Sequence, residues 1–180
     1  MAVNLDIETY RNGDIIPQVT DPAIWAALKT GAWCFYNNDV ANGVKYGKLY
    51  NWYAVNDSRG LAPKGWHIPS VAEWTILSTL LGGEDVAGGK LKEVGTIGTN
   101  KNWRSPNTNA TNESGFTALP GGYRLYDGGF NDVVSSGYWW SHTEFNSSDA
   151  WGRNLNYLAG YLIEVSTNKG GGFSVRCIKD

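Results

Sequence analysis

Ser70-Val71-Ala72-Glu73-Trp74-Thr75-Ile76-Leu77-Ser78-Thr79-Leu80-Leu81-Gly82-Gly83 contains a helix start, a helical apolar spacing and a helix stop in one short run. Ser70 and Glu73 have the spacing of a capping box, in which hydroxyl and carboxylate each satisfy an amide that the first turn leaves unpaired. Trp74, Leu77 and Leu81 follow at helical spacing, and the Gly82-Gly83 pair ends the helix. Beyond the middle of the chain the period changes. Tyr138 to Phe145, Ala150 to Leu158, Tyr161 to Thr167 and Gly172 to Ile178 read as strands, separated by turns rich in Asn, Ser, Asp and Gly. Connections that short predict an antiparallel meander. Helices first and an antiparallel sheet afterwards define an α+β domain, with two main helices packed on the sheet.

The rest of the chain fits around this frame. Asp21-Pro22-Ala23-Ile24-Trp25-Ala26-Ala27-Leu28-Lys29 places an N-cap, a proline at the first helical position and Gly31 just past the end. Ile24, Trp25 and Leu28 then share one face. A short third turn is expected over Asp85 to Glu93, weakened by Gly88 and Gly89. Gly47 to Val55 alternates well enough for one more strand. Gly95 to Ser136 is dense in Gly, Asn, Ser, Thr and Pro, and reads as a long ordered loop. Trp103, Phe116, Leu119, Tyr123 and Phe130 are its expected pins.

A chain of 180 residues is the length of one domain, here 1–180. Lys+Arg 15 against Asp+Glu 17 leaves a net charge of -2, which argues against nucleic acid as a partner. No apolar run is long enough for membrane insertion, and no signal peptide opens the sequence. Gly 23 and Trp 9 describe a loop-rich, strand-rich domain cemented by aromatic packing. Cys34 and Cys177 lack the companions a zinc site needs. Two readings remain for them, buried free thiols or one bridge tying an early segment to the last strand. The bridge predicts Cα atoms roughly 4.4–6.8 Å apart and an oxidising compartment.

Little in the chain reads as catalytic machinery. His67 precedes the capped helix and is expected to be structural. Ser141 and His142 are neighbours on a strand, point to opposite faces and cannot form a nucleophile–base pair. His142 and Glu144 share a face, as a hydrated polar surface. The glycine pairs lack the strand–loop–helix context of a phosphate loop, and no EF-hand loop occurs. No cofactor is implied, although loop carbonyls and carboxylates leave room for a structural Ca²⁺.

Tyr46-Gly47-Lys48-Leu49-Tyr50-Asn51-Trp52-Tyr53-Ala54-Val55 and Gly60-Leu61-Ala62-Pro63-Lys64-Gly65-Trp66-His67-Ile68-Pro69-Ser70 resemble the signature of the Fibrobacter succinogenes major paralogous domain. So do Ala110 to Arg124, Tyr138-Trp139-Trp140-Ser141 and Gly172-Phe173-Ser174-Val175-Arg176-Cys177-Ile178, in the family's order. The match begins inside the family pattern, which implies a domain cut from a longer secreted or surface protein. The resemblance implies a C-type-lectin-like fold with long ordered loops, of the variant shared with formylglycine-generating enzymes. Gly65 to Trp74 is similar to the segment that opens a helix in those enzymes. Their reactive cysteine pair is absent, since Cys177 stands alone near the C-terminal motif with Cys34 as its structural partner. No enzyme activity is therefore carried over.

By analogy with other domains of this fold, the expectation is a non-enzymatic, extracellular or cell-surface binding module, such as an adhesin or fibre tip. Its partner would be a glycan or protein on a cell surface. The alternatives are a structural module that forms homo-oligomers, a trimer if it tips a fibre, and a formylglycine-generating-type enzyme. Alternation over Ala150 to Leu158 puts Trp151, Arg153, Leu155 and Tyr157 toward the core and Gly152, Asn154 and Asn156 toward solvent. The ligand surface is accordingly placed on His142, Glu144, Asn154 and Asn156, with Tyr126 and Phe145 adding aromatic area.

Overall fold

The computed structural model describes residues 1–180 and bears out an α+β class with a mainly antiparallel sheet. Helix α1 (Pro22–Ala27) starts where expected, with the Asp21 carboxylate accepting from the Ile24 amide at 2.9 Å. It is too short to bury a full stripe. Trp25 alone goes under, while Ile24 stays 57% exposed. After β1 (Trp33–Cys34) and α2 (Val40–Tyr46), the expected strand Gly47 to Val55 proves shorter. Strand β2 (Leu49–Asn51) gives way at once to the one-turn helix α3 (Trp52–Val55). Asn51 makes the switch. Its side-chain oxygen accepts from the amides of Ala32 and Ala54, and its amide donates to the Thr30 carbonyl.

Strand β3 (Trp66–His67) leads into α4 (Val71–Leu80), where the capping box forms with both of its hydrogen bonds. Trp74 is buried beneath it. Helix α5 (Glu84–Leu91) occupies the expected third turn, and its glycines are there for contact. A methyl group at Gly88 would overlap the Tyr161 carbonyl, and one at Gly89 the Asn109 carbonyl. Absence of a side chain lets two irregular segments press directly on the helix.

The long loop is ordered as expected up to Pro120, pinned by fully buried Trp103, but its second part is a hairpin of β4 (Gly121–Arg124) and β5 (Phe130–Val133). Strands β6 (Ser136–Glu144), β7 (Asp149–Asn156) and β8 (Ile163–Asn168) form the predicted meander. The fourth run departs from it. Strand β9 (Gly172–Phe173) crosses to pair with β2 and β4, giving the order β1-β2-β9-β4-β6-β7-β8. Strand β10 (Ile178–Lys179) pairs with β3 in a separate two-stranded ladder.

Both faces of the β6–β7 pair are covered. Trp139 and Leu155 pack with Trp74, Ala87, Leu91 and Trp103 on the α4/α5 side, whereas Trp140, Ala150 and Phe173 join the largest cluster on the other. Arg153 is fully buried on the helix side and finds the partners it needs, Glu84 at 3.1 Å and Glu164 at 2.7 Å. Loops leave many carbonyls without ladder partners, and three buried cations collect them. Lys92 donates to Thr108, Asn156 and Ala159, Arg124 to Val19, Thr20 and Gly128, and Arg176 to Met1, Phe116 and Thr117.

The expected bridge between Cys34 and Cys177 is corrected. Both thiols are free and buried. Cys34 belongs to the cluster of Trp25, Ala32, Tyr36 and Leu49, and Cys177 to that of Tyr50, Trp140 and Val175. Each thiol fills apolar space as a small hydrophobe, so the argument for an oxidising compartment loses its support.

Candidate functional site

The residues nominated from the sequence do not form one surface. Asn154 is only 7% exposed, and its amide donates to the Gly137 carbonyl at 3.2 Å. Asn156 is half-buried, bonding the Ser136 hydroxyl through its amide and the Leu158 backbone amide through its oxygen. Neither faces out as expected. Gly152 is buried too, because Phe173 lies over it. Glu144 pairs with Lys169 at 3.1 Å, and exposed Phe145 packs edge-on against Trp151 with ring centroids 4.6 Å apart. Exposed Tyr126 backs onto Gly170, in the turn between β8 and β9.

His142 goes elsewhere, and the reason is a bulge. Register along β6 and β7 is regular from Ser136↔Asn156 to Trp140↔Gly152, then resumes at Glu144↔Ala150. Ser141, His142 and Thr143 thus span a stretch that β7 covers with Trp151 alone. Their backbone and side chains bond other elements instead. The Ser141 carbonyl accepts from the Trp52 indole, the His142 amide donates to the Pro69 carbonyl at 2.9 Å, and the Thr143 hydroxyl accepts from the Val71 amide. Such bulges re-aim side chains. Here the bulge carries the His142 imidazole, which makes no hydrogen bond within the protein, to the start of α4.

A cleft of about 330 Å³ opens there. Val55, Leu61, Ala62 and Ile68 supply its apolar wall, and its polar groups are Arg11, Asp57, His67, Ser70, Glu73 and His142. These groups are held firmly. The Arg11 guanidinium donates to the Ala62 and Trp66 carbonyls. Asp57 receives Arg59 through both carboxylate oxygens, at 2.9 and 2.8 Å, which pulls its carboxyl down to about 2. The His67 ring lies between two carboxylates, Nδ1 at 2.7 Å from Asp180 and Nε2 at 2.8 Å from Glu73. Only the doubly protonated ring can donate to both, and first Asp180, then Glu73, raises its pKa above the usual value. Burial pushes the Glu73 carboxyl up, but the Ser70 amide, His67 and the Ser70 hydroxyl together outweigh it and hold it below the ordinary range.

Of the nominated residues the cleft includes only His142. Sequence reasoning missed Arg11, Asp57 and the second role of Glu73, and read His67 as structural, which its clamp supports. Arg11 sits in an aperiodic segment and Asp57 in a turn, so no spacing signal marked either. Ser70 Oγ is engaged with Glu73, and both nitrogens of His67 are occupied. Burial pushes the Cys177 thiol up to about 11 and the Cys34 thiol up to about 12, far from thiolate chemistry at neutral pH.

The model of the Fibrobacter succinogenes major domain matches residues 1–179, and the chain belongs to that family. No curated protein and no solved structure matches it.

Proposed function

We propose that this member of the Fibrobacter succinogenes major domain family is a non-enzymatic binding module for a cell-surface ligand, and that the ligand is a glycan held in the cleft at His142. We place it outside the cell or on its surface, in an adhesin or fibre tip, on a C-type-lectin-like scaffold. Helices packed on one face of an antiparallel sheet, with a long pinned loop beside them, support that scaffold.

The observation that carries the reading is the bulge that delivers an unengaged imidazole into a cleft of fixed polar groups. Its volume falls within the roughly 300–1,000 Å³ of small-ligand sites. Charge balances across it, with Arg11 and protonated His67 against Asp57 and Glu73. A neutral ligand with many hydroxyls suits such a site, since each hydroxyl both donates and accepts.

The test is binding of the domain to arrayed glycans and to whole cells, with His142→Ala and the cleft-filling His142→Trp as variants. Loss of binding in both, with unchanged melting, is the expected result. Binding retained by both would remove the cleft from consideration. One observation favours a structural module instead. Ile76 and Leu80 lie one turn apart on α4 and are 60% and 79% exposed. A sizing column that returns a trimer, together with empty arrays, would select that reading.

A further inference from the structure

A second cavity, of about 200 Å³, shares Glu73 with the cleft. Its walls are largely apolar, with Pro69, Leu77, Phe116 and Ile178 among them. Two lining residues carry donors that the fold leaves over. Trp74 is 2% exposed, and its indole N–H has no acceptor. Buried donors are paired in more than nine cases in ten, roughly, so an orphan beside a cavity calls for an occupant.

The other residue is Arg176, 3% exposed. Its Nε donates to Asn4 Oδ1 at 2.7 Å, Nη1 to the carbonyls of Phe116 and Met1, and Nη2 to that of Thr117. A guanidinium has five N–H groups, so one on Nη2 remains. No carboxylate lies within ion-pair distance, and Glu73, at the cavity edge, is held by His67 and Ser70. A buried cation without a counter-ion is costly. Lys92 and Arg124 are also buried cations without carboxylate partners, but neither lines a cavity. Arg176 alone among these combines unmatched charge, a spare donor and open volume; it also lines a cavity beside Asn4 and Thr117, but only the one described here adds the orphaned Trp74 donor.

We propose that this cavity binds a small monocarboxylate with an apolar body, its carboxylate taking the Trp74 indole N–H and the spare Arg176 N–H. A phosphate dianion would leave a charge uncompensated among apolar walls, and a neutral apolar molecule would leave both donors unpaired. This site is independent of the reading given to the cleft, with which it shares only Glu73.

The experiment follows the indole N–H resonance of Trp74 by NMR, assigned through Trp74→Phe, while hexanoate, hexanol or hexylammonium is added. Hexanoate is expected to shift that resonance saturably, binding at least about tenfold more tightly than hexanol, with no saturable shift from hexylammonium. Leu77→Trp, which fills the cavity, is expected to abolish the response. In Trp74→Phe, which keeps a ring but lacks the donor, hexanoate binding read at the Ile178 methyl is expected to weaken by about tenfold. Equal responses to hexanoate and hexanol would overturn the proposal. So would the absence of any saturable shift at millimolar hexanoate, which would mean that water alone pairs the indole.

Discussion

Replacing Lys92 with Met tests whether buried cations hold the loops of this domain together. Methionine keeps a flexible, apolar side chain and removes the ammonium, which donates to the carbonyls of Thr108 at 2.8 Å, Asn156 at 3.0 Å and Ala159 at 2.7 Å. Those carbonyls belong to two segments that meet no common ladder. Each buried carbonyl left without a donor costs about 1–3 kcal/mol. Against this stands relief of the buried charge, since burial lowers the Lys92 ammonium to about 8. At about 1.4 kcal/mol per pKa unit the relief is about 3 kcal/mol at neutral pH. The Asn156 carbonyl keeps a donor in the Ala159 amide at 3.4 Å; the other two in mid-range still outweigh the relief, and the net loss is expected to be about 1 kcal/mol.

Urea unfolding measures that loss, and hydrogen exchange locates it. Faster exchange is expected at the Thr108 amide, which donates to the Tyr157 carbonyl across the two segments. The pH dependence has a definite sign. With a folded pKa below the unfolded one, the unfolded chain binds more protons between about 8 and 10.4. Wild-type stability therefore gains from Lys92 as pH rises through that window, and the gap to Lys92→Met widens. A variant as stable as wild type at pH 7, with unchanged exchange at Thr108, would refute the reasoning.

Three further outcomes are expected. Ser70→Ala is expected to cost about 1 kcal/mol by orphaning an amide of α4, and Trp74→Ala about 3–5 kcal/mol by emptying core volume; calorimetry that gives equal melting temperatures would contradict this order. His67→Gln removes a ring whose folded pKa is raised, so the stability it contributes is fully present below about 6.5 and is lost as pH rises through the folded value. Because ring and carboxylates are largely solvent-accessible, the effect is expected to be about 1 kcal/mol or less, and a wild-type advantage that grows toward alkaline pH would sink it. Gly88→Ala ought to gain about 1 kcal/mol from helix propensity alone, yet the methyl overlaps the Tyr161 carbonyl, and a net loss of about 1–3 kcal/mol is expected on thermal melting.

What could be read from the sequence was local. The Asp21 cap, the Ser70–Glu73 box and the stop at Gly82 involve residues a few positions apart, and all three hold. The β6–β7–β8 meander was legible because short polar turns join strands of clear period. What failed depended on distant partners. Asn51 ends a strand because Ala32 and Thr30 lie beside it. Lys92 and Lys90 sit in the same short helical end, yet only Lys92 meets three carbonyls from elsewhere. No property of either lysine distinguishes them in the chain.

The face of β7 expected to meet solvent is covered for a related reason. Small residues on alternate positions of β7 looked like a solvent face, but a small residue marks either open space or crowding. At Gly152 it marks crowding, since a methyl there would sit 2.9 Å from the Trp139 carbonyl oxygen and 3.0 Å from the Phe173 ring. Asn154, two residues on, lies beneath the same covered face and turns its amide inward. His142 escapes because β6 breaks its pairing with β7 where the Pro69 carbonyl and the Val71 amide supply partners instead. The residues that α4 needs at its N-terminus, Ser70 and Glu73, are thereby brought beside a strand that has slipped its register. A cleft arises where two elements each satisfy their backbone by reaching across to the other, and the side chain freed from the ladder is the one left without a partner in the protein.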